Sequence, residues 1–202
     1  MKTTILTIAL LAVTLTGFKQ STLAATPNKE VVGTTLTDVT AINQIEVHGN
    51  VELYVTGGNT DKVKVYNNYY SESALVQDEN GVLRVTNYSA QKLVVWVTAA
   101  DLRSLNVYDN ATVSSFGKLS YIDLDVELFD NAKVHLNLDT YTTSVSLNNH
   151  SRAEISGTIN MANFCHDRFS FLNTSNLVAE HLTEKIKIHH MGMHDQPEFA
   201  SL

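Results

Sequence analysis

Apolar and polar residues alternate with a period of two along most of this chain, and that alternation restricts the fold more than any other feature. Ile45, Val47, Gly49, Val51, Leu53 and Val55 fall on one side of an extended backbone, while Glu46, His48, Asn50, Glu52 and Tyr54 fall on the other. The pattern returns at Val63/Val65, Leu83/Val85, Leu93/Val95/Val97, Leu105/Val107, Leu124/Val126/Leu128, Val134/Leu136/Leu138, Val145/Leu147 and Ile186/Ile188. Turn-formers such as Gly57-Gly58-Asn59 and Glu79-Asn80-Gly81 separate the runs. No segment sustains a helical period. Both prolines, Pro27 and Pro197, stand near the ends, so nothing between them removes a ladder hydrogen bond. The chain is expected to be all-β, each strand burying one face.

From about Leu105 the strands repeat. Val107-Tyr108-Asp109-Asn110-Ala111-Thr112-Val113 is echoed about 21 residues later by Leu128-Phe129-Asp130-Asn131-Ala132-Lys133-Val134. Further echoes end at Ile155 and Leu177, which places Val113, Val134, Ile155 and Leu177 at equivalent inward positions. In the third copy Val145-Ser146-Leu147 sits two residues early, which predicts a longer turn over 148–152. A spacing of about 21 suits one coil of a solenoid, whose coils are too small to fold singly and build a shared core by stacking. The expectation is therefore N-terminal antiparallel strands leading into a short β-helix with coils of about 21 residues. A sandwich also alternates, but its strands need not hold register over four units. Asp109 and Asp130 recur where the chain must turn, and Asp and Asn tolerate left-handed angles. Stacked, they would form either a polar corner ladder or a carboxylate pair about 5 Å apart. No basic residue occupies the neighbouring repeat phases to polarise a substrate, so no catalytic residue is assigned and no enzyme is expected.

The N-terminus reads as an export signal over residues 1–25. Met1-Lys2 gives a positive start, Ile5 to Thr16 an apolar run, and Ser21 to Ala25 small residues for cleavage. The run is too short to span a bilayer and is broken by Gly17, Lys19 and Gln20, so no membrane span is expected in the mature protein. A flexible segment at 26–36, one β domain at 37–188 and a polar tail at 189–202 complete the division. Lys+Arg 14 against Asp+Glu 21 gives a net charge of −7. The leader holds two lysines and no acid, so the remainder is more acidic still. Such a surface repels phosphate backbones, and no Lys/Arg cluster offsets it, which argues against nucleic acid or anionic membrane as partners. Cys165, the single cysteine, has no intramolecular disulfide partner and reads as a small buried hydrophobe.

Three further groups of residues carry possible chemistry. His189, His190 and His194, with Met191 and Met193, offer imidazole and thioether donors suited to copper, or to zinc through the histidines. Adjacent His189 and His190 point to opposite faces of any strand that continues from 185–188, and a plain polar tail is the simpler alternative; no cofactor is assigned. Tyr66, Tyr69, Tyr70, Tyr88 and Trp96 are candidates for a sugar-stacking platform, or else they cover the junction between the N-terminal strands and the first coil. Asn-x-Ser/Thr sequences begin at Asn87, Asn110, Asn149 and Asn173, where turn composition accounts for them.

The run Gln44 to Gly58 (QIEVHGNVELYVTGG), followed by Lys62-Val63-Lys64-Val65 and Asn80-Gly81-Val82-Leu83-Arg84-Val85, resembles the bacterial family called putative auto-transporter adhesin, head GIN domain. In that family an N-terminal pair of such strands leads into β-helical coils marked by a short Ser-Gly-Ala-type turn. Here the turn is Asp109-Asn110-Ala111 and Asp130-Asn131-Ala132, with Asn110 and Asn131 expected at the family's strained glycine position. The resemblance covers roughly Thr37 to Ile188 and implies an exported, non-enzymatic binding or adhesion module of the periplasm, cell surface or medium. Its ligand is a glycan or an envelope or surface protein, the alternatives being a polysaccharide-cleaving β-helix enzyme and an envelope metal-binding protein. N-terminal sequencing of exported protein should find a start near Ala25 or Thr26; a start at Met1 in a membrane fraction would contradict the leader assignment.

Overall fold

The structure is a computed structural model that describes residues 33–36, 41–66 and 74–187, all within one unit, Val31–Leu202. Thirteen strands follow in chain order: β1 (Gly33–Leu36), β2 (Gln44–Gly49), β3 (Val51–Gly57), β4 (Lys62–Tyr66), β5 (Ala74–Glu79), β6 (Val82–Asn87) and β7 (Leu93–Ala99). Then come β8 (Ser104–Val107), β9 (Thr112–Ser115), β10 (Leu119–Leu128), β11 (Lys133–Leu147), β12 (Arg152–His166) and β13 (Phe171–Ile186). The described residues contain no helix. All thirteen strands join one mixed sheet, which confirms the all-β expectation. The sheet begins at Gly33, ahead of the domain boundary read from the sequence, because β1 pairs antiparallel with β4.

Antiparallel pairing is confined to the early strands: β1 with β4, β4 with β7, and β5 with β6. Every other ladder is parallel. β11 pairs with β9 through residues 133–135 and with β10 through residues 138–147, so one strand turns the sheet around an apolar interior. Two runs of pairing result. The first face carries β6, β2, β8 and the C-terminal parts of β10 to β13. The second carries β4, β7, β3, β9 and the N-terminal parts of β11 to β13. The inward residues of the alternation fill the space between, with Ile45, Leu53, Leu83, Val95, Leu105, Val113, Leu128 and Val134 all fully buried. Each such aliphatic side chain contributes about 1.5–3 kcal/mol relative to exposure.

The repeat register differs from the 21-residue stack. Val113 does lie opposite Val134, but Val134 then faces Ala153, and Ile155 faces Leu136. An offset of 21 at the first turn gives way to 19 at the next. The turn over 148–152 is accordingly no longer than its predecessors: Ser151 donates to Asn148 O just as Ala132 donates to Phe129 O and Ala111 to Tyr108 O. The surplus lies at Phe116-Gly117, between β9 and β10, where the neighbouring strand β11 runs straight through. Gly117, at φ 83° with open space around its Cα, takes the left-handed bend. Leu177 faces Gly157 after a bulge between Glu154 and Ser156, and so is not in the Val134 stack either.

The corners follow the expected polar ladder with one change of residue. The strained positions are Asp109 (φ 60°), Asp130 (φ 59°) and Asn149 (φ 61°), not Asn110 and Asn131. Left-handed geometry costs a non-glycine residue roughly 1–2 kcal/mol, and the side chains offset this by bonding neighbouring rungs. Gly49 N–H donates to Asp109 Oδ2 at 3.0 Å, Asn131 Nδ2–H to Asn110 Oδ1 at 3.2 Å, and Asn149 Nδ2–H to Asp130 Oδ1 at 3.1 Å. At the end of the row Asp167 receives the N–H groups of Asn149 (2.5 Å), Phe169 (2.9 Å) and Ser170 (2.9 Å). Gly49 itself admits no side chain, since a Cβ there would sit 2.2 Å from Asn87 O.

Among the described residues β13 pairs only with β12. Its inward-phase residues Leu182 and Ile186 are 51% and 57% exposed, whereas their β12 counterparts Ala162 and His166 are buried and half-buried.

Two measurements test this arrangement. Val134→Asp places an unpaired carboxylate in the stacked interior and should cost several kcal/mol, while Lys133→Asp, pointing outward one residue away, should leave the melting temperature nearly unchanged. Equal melting temperatures would mean the register is wrong. For Asp167, burial acts to raise the carboxyl pKa, but the backbone N–H groups of Phe169, Asn149 and Ser170 and the Ser170 hydroxyl together hold it below its ordinary value. A depressed folded pKa stabilises the protein above the unfolded value of about 3.9, and that stability is lost as pH falls through the folded pKa. The melting temperature of Asp167→Asn should therefore lie below the parent's at neutral pH, with the gap closing below about pH 4.

Candidate ligand-binding surfaces

The outward phase of the second face gathers aromatic rings. Register sets Lys64 opposite Trp96 and Trp96 opposite Tyr54, so their side chains emerge side by side. Tyr54 stacks on Trp96 with ring centroids 4.8 Å apart, Phe116 tilts against Trp96 at 5.2 Å, and Tyr66 meets its edge at 6.5 Å. Beside them lies an open groove of about 270 Å³ lined by Thr35, Lys62, Lys64, Tyr66, Trp96 and Thr98. Phe116 is 62% exposed; the two-residue surplus before β10 carries it there. Tyr54 donates its hydroxyl to Glu52 Oε1 at 2.5 Å, and Lys92 Nζ lies 3.0 Å from Glu52 Oε2. These two contacts hold the Glu52 carboxyl below its usual value, the tyrosine bond being the larger cause, and the same bond raises Tyr54.

Of the five aromatic candidates, the structure thus unites Tyr66 and Trp96 and adds Tyr54 and Phe116. Those rings come from β4, β7 and β3 and from the residue that follows β9. Tyr88 stands apart at the corner, where its hydroxyl donates to Asp109 Oδ2 at 3.2 Å. Burial, then the Asp109 charge, raises its pKa. Tyr69 and Tyr70 lie outside the described residues. Tyr54 and Phe116 escaped the sequence reading because Tyr54 looked like any outward strand residue and Phe116 followed no period.

The first face bears a wider polar groove of about 820 Å³. Pairing aligns Ser104, Asp125, Ser144, Asn163 and Thr183 in one row and Asn106, Glu127, Ser146, Cys165 and Lys185 in the next. Cys165 lies half-buried in this outward row, not in the apolar interior expected of it. Lys187 Nζ reaches back to Ser146 Oγ (2.7 Å) and Asn148 Oδ1 (2.8 Å). Beside the corner, His48, Tyr108 and Phe129 form a column of parallel rings with centroids 4.3 and 4.9 Å apart. Only strand pairing brings these three together.

The other candidates have structural work or fall out of view. Asp109 Oδ2 and Asp130 Oδ1 accept the corner hydrogen bonds described above. Asn87 is buried, its Nδ2 donating to Asn50 O and Gln91 O. His166 sits between Asp167 O and Glu184 Oε1, at 3.0 and 2.9 Å. Among the described residues no group of three His, Cys, Asp or Glu side chains is placed to hold a metal ion, and no helix is long and apolar enough to cross a membrane. His189, His190 and His194 lie outside the described residues.

Comparison with known proteins agrees with the resemblance read from residues 44–85. A putative adhesin of Bacteroides fragilis superposes with a TM-score of 0.66 at 15% identity, over 80% of this chain and 78% of that one. A putative lipid binding protein of Parabacteroides distasonis gives 0.58 at 12% identity, over 77% and 78%. A putative adhesin of Parabacteroides merdae gives 0.51 at 17% identity, over 79% and 78%. At these identities the likeness is one of fold. No curated protein matches the chain. The family model for putative auto-transporter adhesin, head GIN domain, matches residues 41–188, and the chain belongs to that family.

Proposed function

We propose that this chain is a non-enzymatic binding module, exported to the envelope or cell surface, that holds a glycan or surface protein against the outer faces of its strand stack. The observation that carries this reading is the outward-facing cluster of half-buried Tyr54, Tyr66 and Trp96 with exposed Phe116, beside a groove edged with hydroxyl and ammonium groups. Rings that serve only packing are expected to point inward. These point outward, where an aromatic face stacks on the C–H face of a sugar and its neighbours bond the hydroxyls. The parallel register of β8 to β13 supports a β-helix as the rigid platform, with coils of 19 to 21 residues. Its interior is filled by aliphatic side chains, so ligands belong on the walls. Engagement of Asp109 and Asp130 in corner bonds weighs against a polysaccharide-cleaving enzyme.

A glycan array and a surface-protein pull-down test the reading. Trp96→Ala with Phe116→Ala should reduce capture about tenfold or more while leaving the fold intact, since both rings lie outside the core. Deleting Met191 to Leu202 should leave capture unchanged. A nanomolar copper or zinc site lost on that deletion would favour the metal-binding alternative instead.

A further inference from the structure

The chain is acidic as a whole, yet the second face is not. Lys62 and Lys64 on β4, Lys133 on β11 and Arg152 on β12 all point outward on that face and are exposed. Among the described residues none of the four has an ion-pair partner. Of the acids that share the face, Glu52 is engaged with Lys92 and Tyr54, while Glu154 lies 3.9 Å from His135 Nε2. Sequence shows only the Lys62/Lys64 pair of β4 and not the gathering, because Lys133 and Arg152 come from two distant strands. Register assembles them into two pairs. Lys133 is directly opposite Arg152, and Lys62 and Lys64 are neighbours in one outward row. From β4 to β11 the path crosses β7, β3 and β9, which sets the pairs about 19 Å apart at the usual strand spacing. The rings of Trp96, Tyr54 and Phe116 occupy the interval.

We infer that this face binds a linear acidic polysaccharide, its carboxylates or sulfates on Lys62/Lys64 at one end and Lys133/Arg152 at the other, and its sugar rings on Trp96 and Phe116 between. The inference rests on the binding-module reading and names the ligand class. Two features select this ligand among anions. A nucleic acid duplex carries one charge per about 1.7 Å of its axis, well above one charge per sugar, and is the more strongly repelled by Glu52 and Glu154 on the same face. A lipid headgroup layer satisfies the lysines but gives the row of aromatic faces nothing to stack on. A polyuronate carries one charge per sugar and an apolar C–H face in each ring, matching both parts of the surface. Each exposed ion pair is individually weak and salt-screened, so attachment depends on several at once together with the stacking.

The test is calorimetry of the purified chain with sodium oligogalacturonate, a neutral oligosaccharide of similar length, and phosphatidylcholine vesicles containing phosphatidylglycerol. Oligogalacturonate should bind, the neutral sugar more weakly. Lys64→Ala with Lys133→Ala should weaken the acidic sugar about tenfold at low salt and leave the neutral sugar unaffected, with the difference fading at high salt. Trp96→Ala should weaken both sugars, and Lys118→Ala, on another part of the surface beside Asp139, should change neither. Capture of neutral glycans or of a surface protein that ignores the lysine changes would overturn the inference while the binding-module reading stands. Vesicle binding that needs the lysines but not Trp96 would overturn it in favour of a lipid surface. Failure of every probe, array and pull-down would remove both.

Discussion

Every backbone N–H and C=O group of an extended strand needs a partner, and in this chain most find it in the next rung of a parallel stack. From β9 to β13 the parallel pairing changes register only at Phe116-Gly117 and at the Glu154/Ser156 bulge, and it sets like onto like: inward residue over inward residue, corner over corner, outward residue over outward residue. The interior then works only if each inward residue is apolar or has its polar group satisfied inside, and the corner only if every residue there accepts a left-handed backbone. From β8 to β12 the buried polar residues on the strands are Thr140 and Thr143 of β11, whose hydroxyls bond each other at 2.6 Å, and the corners are met by Asp109, Asp130 and Asn149. The hydrogen-bonded corner is thus as much a condition of the fold as the aliphatic interior, because a steric conflict at one rung would be transmitted to its neighbours.

The same rule organises the outside, where nothing requires uniformity. Outward rows are free to differ between faces, and they do. One face presents small hydroxyl and amide groups with Asp125 and Glu127. The other presents rings and unpaired cations. A net charge of −7 is therefore a poor description of what an approaching ligand meets, since within a Debye length the local face decides.

Strand character, the alternating core and the special status of Asp109 and Asp130 were all legible in the sequence, because each is a local property with a period or a backbone preference behind it. The pairing register beyond Val134 was not. Apparent spacing between similar hydrophobic residues suggested Ile155, but the true partner is Ala153, and the two surplus residues sit at Phe116-Gly117, where a glycine bend left no periodic mark. The binding surface was half legible. Trp96 and Tyr66 stood out by type, while Phe116, Tyr54 and the His48–Tyr108–Phe129 column depend on contacts between residues far apart in the chain. The cationic face was invisible for the same reason: a charge cluster assembled from β4, β11 and β12 leaves no run of lysines to find.

Constancy of offset has a consequence for how such chains change length. β11, β12 and the first part of β13 repeat at 19 residues with the same inward and outward phases. Duplicating one such segment would insert a rung without disturbing those above or below it, extending both outer faces by a single strand spacing, and deleting one would shorten them equally. The protein is in this sense a ruler graduated in rungs. The reach of its faces can be adjusted by whole units of chain while the chemistry of each remaining rung stays as it was.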